Sequence, residues 1–183
     1  MKRRHLLAGL ASAGAIGGAG LVATGTVPSA LTGGDAAETQ PVEPIPLDTV
    51  EAPGSRDGEV TLPADGQPTF VDFFGTWCAP CVEQMPALAE AEDRIGDEVL
   101  FVSVTTEDVG GSLTEEAVAD WWRENGGGWL VAADVTAELA AKLNVGGFPT
   151  AVALDATRRI QWSESGIHTA DELVSGIETA LDQ

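Results

Sequence analysis

The chain has 183 residues with 29 aspartates and glutamates against 9 lysines and arginines, a formal net charge of −20. A surface of that sign repels polyanions, which excludes nucleic-acid binding through a basic patch. Two cysteines and two histidines, His5 and His168, also leave a four-ligand zinc site short of donors, because His5 falls in a leader-like segment.

Met1-Lys2-Arg3-Arg4-His5 is basic, and Leu6 to Val27 is uncharged and rich in glycine and alanine. A charged start followed by a weakly apolar run reads as an export leader, and so many glycines would weaken a core helix. The run is long enough to cross a bilayer, so residues 1–27 are expected to be either a cleaved leader or a membrane anchor. Arg3-Arg4 before Leu6-Leu7-Ala8-Gly9 resembles a twin-arginine signal. Residues 28–57 place Pro41, Pro44, Pro46 and Pro53 among Asp35, Glu38, Glu43, Asp48 and Glu51, the composition of a solvated acidic linker. Residues 58–183 then suit one domain with a modest core.

Within that domain, Glu59 to Leu62 reads as a short strand, and Phe70-Val71-Asp72-Phe73-Phe74 as a buried one. Trp77-Cys78-Ala79-Pro80-Cys81 follows, where the apolar run gives way to a helical pattern in Val82, Met85, Leu88, Ala89 and Ile95 ending at Gly96. Pro86 should kink that helix one turn beyond the cysteines. Val99 to Val104 reads as a central strand, Thr114 starts a second helix that Asn125-Gly126-Gly127-Gly128 stops, and Trp129 to Ala133 is a further strand. Asp134 is placed to cap a short helix, Thr136 to Leu143. Thr150 to Leu154 and Ile160 to Ser163 read as an antiparallel hairpin, and Thr169 to Glu172 as a capping box before a last helix through Leu173, Val174, Ile177 and Leu181. Strands alternating with helices and closing on a hairpin indicate an α/β fold, a mixed central sheet with helices on both faces.

The chemistry centres on Cys78 and Cys81. A helix start offers unpaired N–H groups and the positive end of its dipole, which favour an anion at Cys78 and so a thiolate near neutral pH. Pro80 suits the first helical turn, where its missing N–H would be an orphan anyway. A structural disulfide closing so short a loop would remove little entropy from the unfolded chain, which makes a redox pair the stronger reading. Cys78, the more N-terminal and more exposed thiol, is expected to attack a substrate disulfide, and Cys81 to resolve the mixed disulfide.

Val71-Asp72-Phe73-Phe74-Gly75-Thr76-Trp77-Cys78-Ala79-Pro80-Cys81 resembles the active-site segment of thioredoxin-fold proteins, and Gly147-Phe148-Pro149-Thr150 resembles their cis-proline loop. The Thr-Trp-Cys-x-Pro-Cys run and Met85-Pro86-x-Leu88 are similar to the exported TlpA/ResA-like thiol-disulfide oxidoreductases. The resemblance implies a thioredoxin-like fold over about residues 58 to 182, a cis bond before Pro149, and no cofactor beyond the Cys78–Cys81 disulfide. It also implies a substrate edge at Phe148 and Pro149, with Trp77 covering the thiols. Asp72 matches the buried acid of thioredoxins, and burial without a cation should raise its pKa so that it exchanges a proton with Cys81. The competing view is an Asp72 solvated at a strand edge. Gln84 stands where many exported relatives carry a glutamate, which removes that glutamate's acid/base role here, and Glu83 reads as surface charge.

The implied partners are cysteine-containing exported proteins and a membrane redox partner, at the outer face of the cytoplasmic membrane or beyond it. Two routes stand open: reduction of cysteines for cytochrome c maturation, with apocytochrome as substrate, or general disulfide handling. The alternative is a copper-delivery or metal-binding module on the same fold, which would need His168 beside the cysteines. Trp121, Trp122, Trp129 and Trp162 read as core or surface cover. Lys142 is the only lysine after the leader, and self-repulsion at −20 is tolerable where salt screens it, within about 3 Å at 1 M. The melting temperature is therefore expected to rise with molar salt, as in salt-adapted proteins; a melting temperature indifferent to salt would reject that inference.

Overall fold

A computed structural model describes residues 40–183. The expected leader or anchor, the twin-arginine-like pair and the first part of the expected linker lie outside the described residues. Among the described residues no helix is long and apolar enough to cross a membrane.

Among the described residues seven strands form one sheet in the order β2-β1-β5-β4-β3-β6-β7. They are β1 (Ile45–Thr49), β2 (Gly58–Leu62), β3 (Thr69–Phe74), β4 (Leu100–Thr105), β5 (Leu130–Ala133), β6 (Thr150–Leu154) and β7 (Ile160–Ser165). The helices are α1 (Ala79–Ile95), α2 (Glu115–Glu124), α3 (Glu138–Lys142) and α4 (Ala170–Leu181). Strands β3, β4 and β5 run parallel, while β6 is antiparallel to β3, β7 to β6, and β1 to both β5 and β2.

β3 is buried at all six positions because β4 and β6 flank it and helices cover the sheet, which is why its sequence is a continuous apolar run and not an alternating one. Its side chains still alternate between faces. Phe70 and Phe74 join Phe101, Val131, Ala151 and Ala153 beneath α1, α2 and α4. Val71 and Phe73 join Val102, Val104, Val152 and Leu154 on the other face with Leu139 and Ala140 of α3. The connections β3-α1-β4 and β4-α2-β5 advance across the sheet in one direction, so crossovers of one hand place α1 and α2 on the same face. Helices thus lie on both faces, as expected.

The acidic linker expected over residues 28–57 needs correction. Ile45, Leu47 and Thr49 point inward and Pro46 and Asp48 outward, a period-two pattern that pairs β1 with β2 along its whole length. Pro46 lies where β1 has β2 as its sole neighbour, since β5 pairs only with Asp48 and Thr49, and an edge-like position tolerates the missing N–H. The chain beyond β1 is also tied down: the Val50 N–H donates to Val131 O at 3.0 Å, and the Trp122 indole N–H donates to Pro53 O at 3.1 Å. Gly54, at φ +75°, passes so close to the Gly128 carbonyl that a Cβ would overlap it. The folded unit therefore starts well before residue 58, because alternation and long-range pairing outweigh the proline-rich composition.

Helix ends follow their local signals. Thr114 caps α2 by accepting from the Ala117 N–H, and Thr169 with Glu172 forms the expected capping box of α4. Asp134 accepts from the N–H groups of Glu138 and Ala140, although the formal cap of α3 is Ala137. α1 runs from Ala79 to Ile95 with Pro86 inside it and no break in the helix.

Candidate active site

The CxxC turn lies at the carboxyl ends of the parallel strands, where open α/β sheets place their sites. β3 ends at Phe74, and Cys78 is the N-cap of α1 in extended conformation, with proline in the first turn. The Cys78 N–H donates to Gly75 O at 3.0 Å, closing the turn. The Cys81 N–H is shared between Cys78 O at 3.1 Å and Cys78 Sγ at 3.2 Å, so an amide of the helix start also reaches that sulfur. Cys78 and Cys81 form a disulfide with S–S 2.09 Å and Cα–Cα 5.3 Å.

Cys78, expected to be an exposed thiol, is buried in this disulfide form. It is 3% exposed and Cys81 1%, because both side chains join the cluster under α1. Trp77 projects instead, 71% exposed, with its ring centroid 6.0 Å from that of Phe148. Its indole also lies over Gly75, where a Cβ would come within 3.0 Å of the ring. The Phe148–Pro149 peptide bond is cis, and so is Leu62–Pro63, for which the sequence offered no signal.

Asp72 is 1% exposed and stands in register between Ser103 of β4 and Ala151 of β6, so the strand-edge view is overturned. It shares the α1-covered face with Phe70 and Phe74. Burial pushes its carboxyl up to about 7, against a hydrogen bond from Ser103 that works the other way. Ser103 Oγ donates to Asp72 Oδ2 at 3.2 Å and receives the Trp129 indole N–H at 2.9 Å, while Asp72 Oδ1 has no partner. Reading Trp129 as core cover alone missed this chain. Its signal was Ser103, a hydroxyl inside an apolar strand.

Two further side chains brace the site. Gln84, 2% exposed, donates through Nε2 to His168 O at 3.1 Å and accepts the His168 N–H on Oε1 at 2.6 Å. A side-chain amide meets both demands at once and a carboxylate does not. Gln84→Ala is expected to destabilise the fold by about 2 kcal/mol, since it strands a buried donor and acceptor; urea unfolding of the two proteins measures it. Glu107, on the loop after β4, accepts the Thr76 N–H on Oε2 at 2.6 Å and the Thr76 hydroxyl on Oε1 at 2.8 Å. The His168 ring stands edge-on to Trp162 with centroids 5.6 Å apart. Among the described residues no group of three or more His, Cys, Asp or Glu side chains is arranged to hold a metal.

The chain as a whole is similar to known proteins. The Redoxin family profile matches residues 41–181. The sporulation thiol-disulfide oxidoreductase A of Bacillus subtilis is 26% identical over 116 residues, covering 63% of this chain and 69% of that one. Chloroplastic thioredoxin Y of rice is 42% identical over 41 residues, which spans 22% of this chain and only 24% of the rice protein. The crystal structure of StoA from Bacillus subtilis superposes with TM-score 0.60 at 24% identity, covering 74% of this chain and 98% of that chain. The chain therefore has a thioredoxin-like fold, and it belongs to the Redoxin family.

Proposed function

We propose that the protein is a thiol-disulfide oxidoreductase that cycles Cys78 and Cys81 between dithiol and disulfide. The observation that carries this reading is the Cys81 N–H directed at Cys78 Sγ across the first turn of α1. That amide and the helix dipole stabilise a thiolate at Cys78 over the thiol. The thiolate attacks one sulfur of a substrate disulfide, forms a mixed disulfide and expels a substrate thiolate. Cys81 then gives up its proton, attacks Cys78 Sγ and releases the second substrate thiol, so two electrons pass to the substrate as the internal disulfide closes. Asp72, titrating near neutrality on the face that carries the cysteines, is the base for the Cys81 proton. Trp77 and the Phe148–Pro149 loop form the surface met by the substrate chain.

The named relative's thiol-disulfide activity supports the reaction class. The leader-like start supports exported, cysteine-containing substrates and a membrane-side redox partner, and apocytochrome c is one such substrate. No observation favours copper delivery, because the His168 ring packs on Trp162 and its backbone on Gln84.

Equilibrating the protein with glutathione buffers tests the proposal. A single two-electron transition, with reduction of a model protein disulfide, is the expected result. A disulfide that resists every glutathione ratio, in a protein that binds Cu(I) tightly through the same cysteines, would replace this reading with metal handling.

A further inference from the structure

We propose that Glu107 is a positioning residue for the CxxC turn and that its charge makes the Cys78/Cys81 pair more reducing. This rests on the oxidoreductase reading above. Both Glu107 oxygens are committed to one residue of the turn, Thr76, through its N–H at 2.6 Å and its hydroxyl at 2.8 Å. Thr76 lies two residues before Cys78, inside the segment that the Cys78 N–H to Gly75 O bond closes. The carboxylate is itself held, since the Thr105 hydroxyl donates to Oε2 at 3.1 Å and the Glu107 N–H donates to that hydroxyl oxygen at 3.2 Å. The clamp joins the end of β4 to the end of β3 and so fixes where the chain enters α1.

The same carboxylate is an uncompensated anion. Among the described residues no lysine, arginine or histidine makes an ion pair with Glu107. α1 has no acidic residue in its first turn, so this end of the helix receives its negative charge from across the turn. With at most ~7 Å between the Cα atoms of Thr76 and Cys78, and the hydrogen bond and side-chain reach added at either end, that charge stands within about 14 Å of the sulfur, on the order of one screening length at about 0.1 M salt. An anion there opposes the Cys78 thiolate, and therefore the reduced state that contains it, without touching the disulfide state. The helix start and Glu107 act in opposite senses, and the pair's potential reflects their balance.

Two variants separate charge from clamp. In Glu107→Gln the amide oxygen accepts the Thr76 N–H and the amide nitrogen donates to the Thr76 hydroxyl, so the clamp remains and the charge is lost. Glu107→Ala loses both. Expected for Glu107→Gln are a Cys78 pKa, read from thiolate absorbance, lower by roughly half a unit to one unit, and a glutathione equilibrium constant for disulfide formation lower by about threefold to tenfold, with an unchanged melting temperature. Glu107→Ala is expected to share those shifts and in addition to exchange with protein disulfides about tenfold more slowly than Glu107→Gln. A Glu107→Gln protein whose Cys78 pKa and glutathione equilibrium equal those of the wild type overturns the redox part. An alanine variant as fast as the glutamine variant overturns the clamp. Failure of the oxidoreductase reading is recognised separately, because the wild-type protein itself would then not equilibrate with glutathione.

Discussion

Cys81→Ser is expected to accumulate covalent adducts with partner proteins, and Cys78→Ser to form none and to lose disulfide exchange by a factor on the order of 10³ or more. The asymmetry follows from the turn. The Cys81 N–H is directed at Cys78 Sγ, whereas Cys81 lies one turn into α1 and is the more buried of the two. A thiolate stabilised at Cys78 attacks first; with serine at 81 nothing resolves the mixed disulfide. Non-reducing gels and mass spectrometry of the adducts read the result, and the identity of the trapped proteins separates cytochrome c maturation from general disulfide handling. Adducts of Cys78→Ser as abundant as those of Cys81→Ser would reverse the assigned roles.

Asp72→Asn is expected to have two opposed effects, on stability and on rate. The folded-state pKa of Asp72 is raised from 3.8 to about 7, chiefly by burial. A raised carboxyl pKa means that the folded state holds the proton more tightly than the unfolded chain. The burial therefore costs nothing below about pH 4, where both states are protonated, costs progressively more as the pH rises to about 7, and is constant above that. The full difference is about 4 kcal/mol, from which an asparagine amide with an unpaired buried group subtracts about 1–3 kcal/mol. Asp72→Asn should thus be more stable than the wild type at pH 8 by about 2 kcal/mol, and at pH 4, where only the asparagine penalty remains, less stable than it by about 1–3 kcal/mol. Denaturant unfolding at the two pH values measures this, and a difference that is the same at both would show that Asp72 does not ionise in the folded protein.

The kinetic effect has the other sign. Without a carboxyl to take the Cys81 proton, the resolving step should slow by about 10²-fold at pH 7, while the first attack by Cys78 is nearly unchanged. Rapid-mixing kinetics distinguishes the steps by accumulation of the mixed disulfide. Equal slowing of both steps would exclude Asp72 as the base. Ser103→Ala offers an intermediate case. It removes the hydroxyl that favours the Asp72 carboxylate and should move the pH dependence of the resolving step upward.

Most strands, every long helix and the cysteine pair were legible along the chain, because their signals are local. An apolar run marked β3, side-chain caps marked the starts of α2 and α4, and three-residue spacing on a helix start brought Cys78 and Cys81 within disulfide reach. β1 was hidden for a local reason as well: Pro44, Pro46 and the acids around them gave residues 28–57 the composition of a linker, although Ile45, Leu47 and Thr49 alternate as a strand should. What makes that segment a strand is β2 and, at its end, β5, and neither lies in the window that composition describes.

The surroundings of the cysteines belong to the tertiary structure. Ser103 meets Asp72 across 31 residues of sequence, Glu107 meets Thr76 across 31, and Gln84 meets His168 across 84. Local patterning specifies which residues turn, pair or coil, since those choices depend on neighbours within a few positions. Whether a carboxyl is ionised, which loop a carboxylate clamps and how far a sulfur is buried depend on solvent exclusion and on partners that only chain packing brings together.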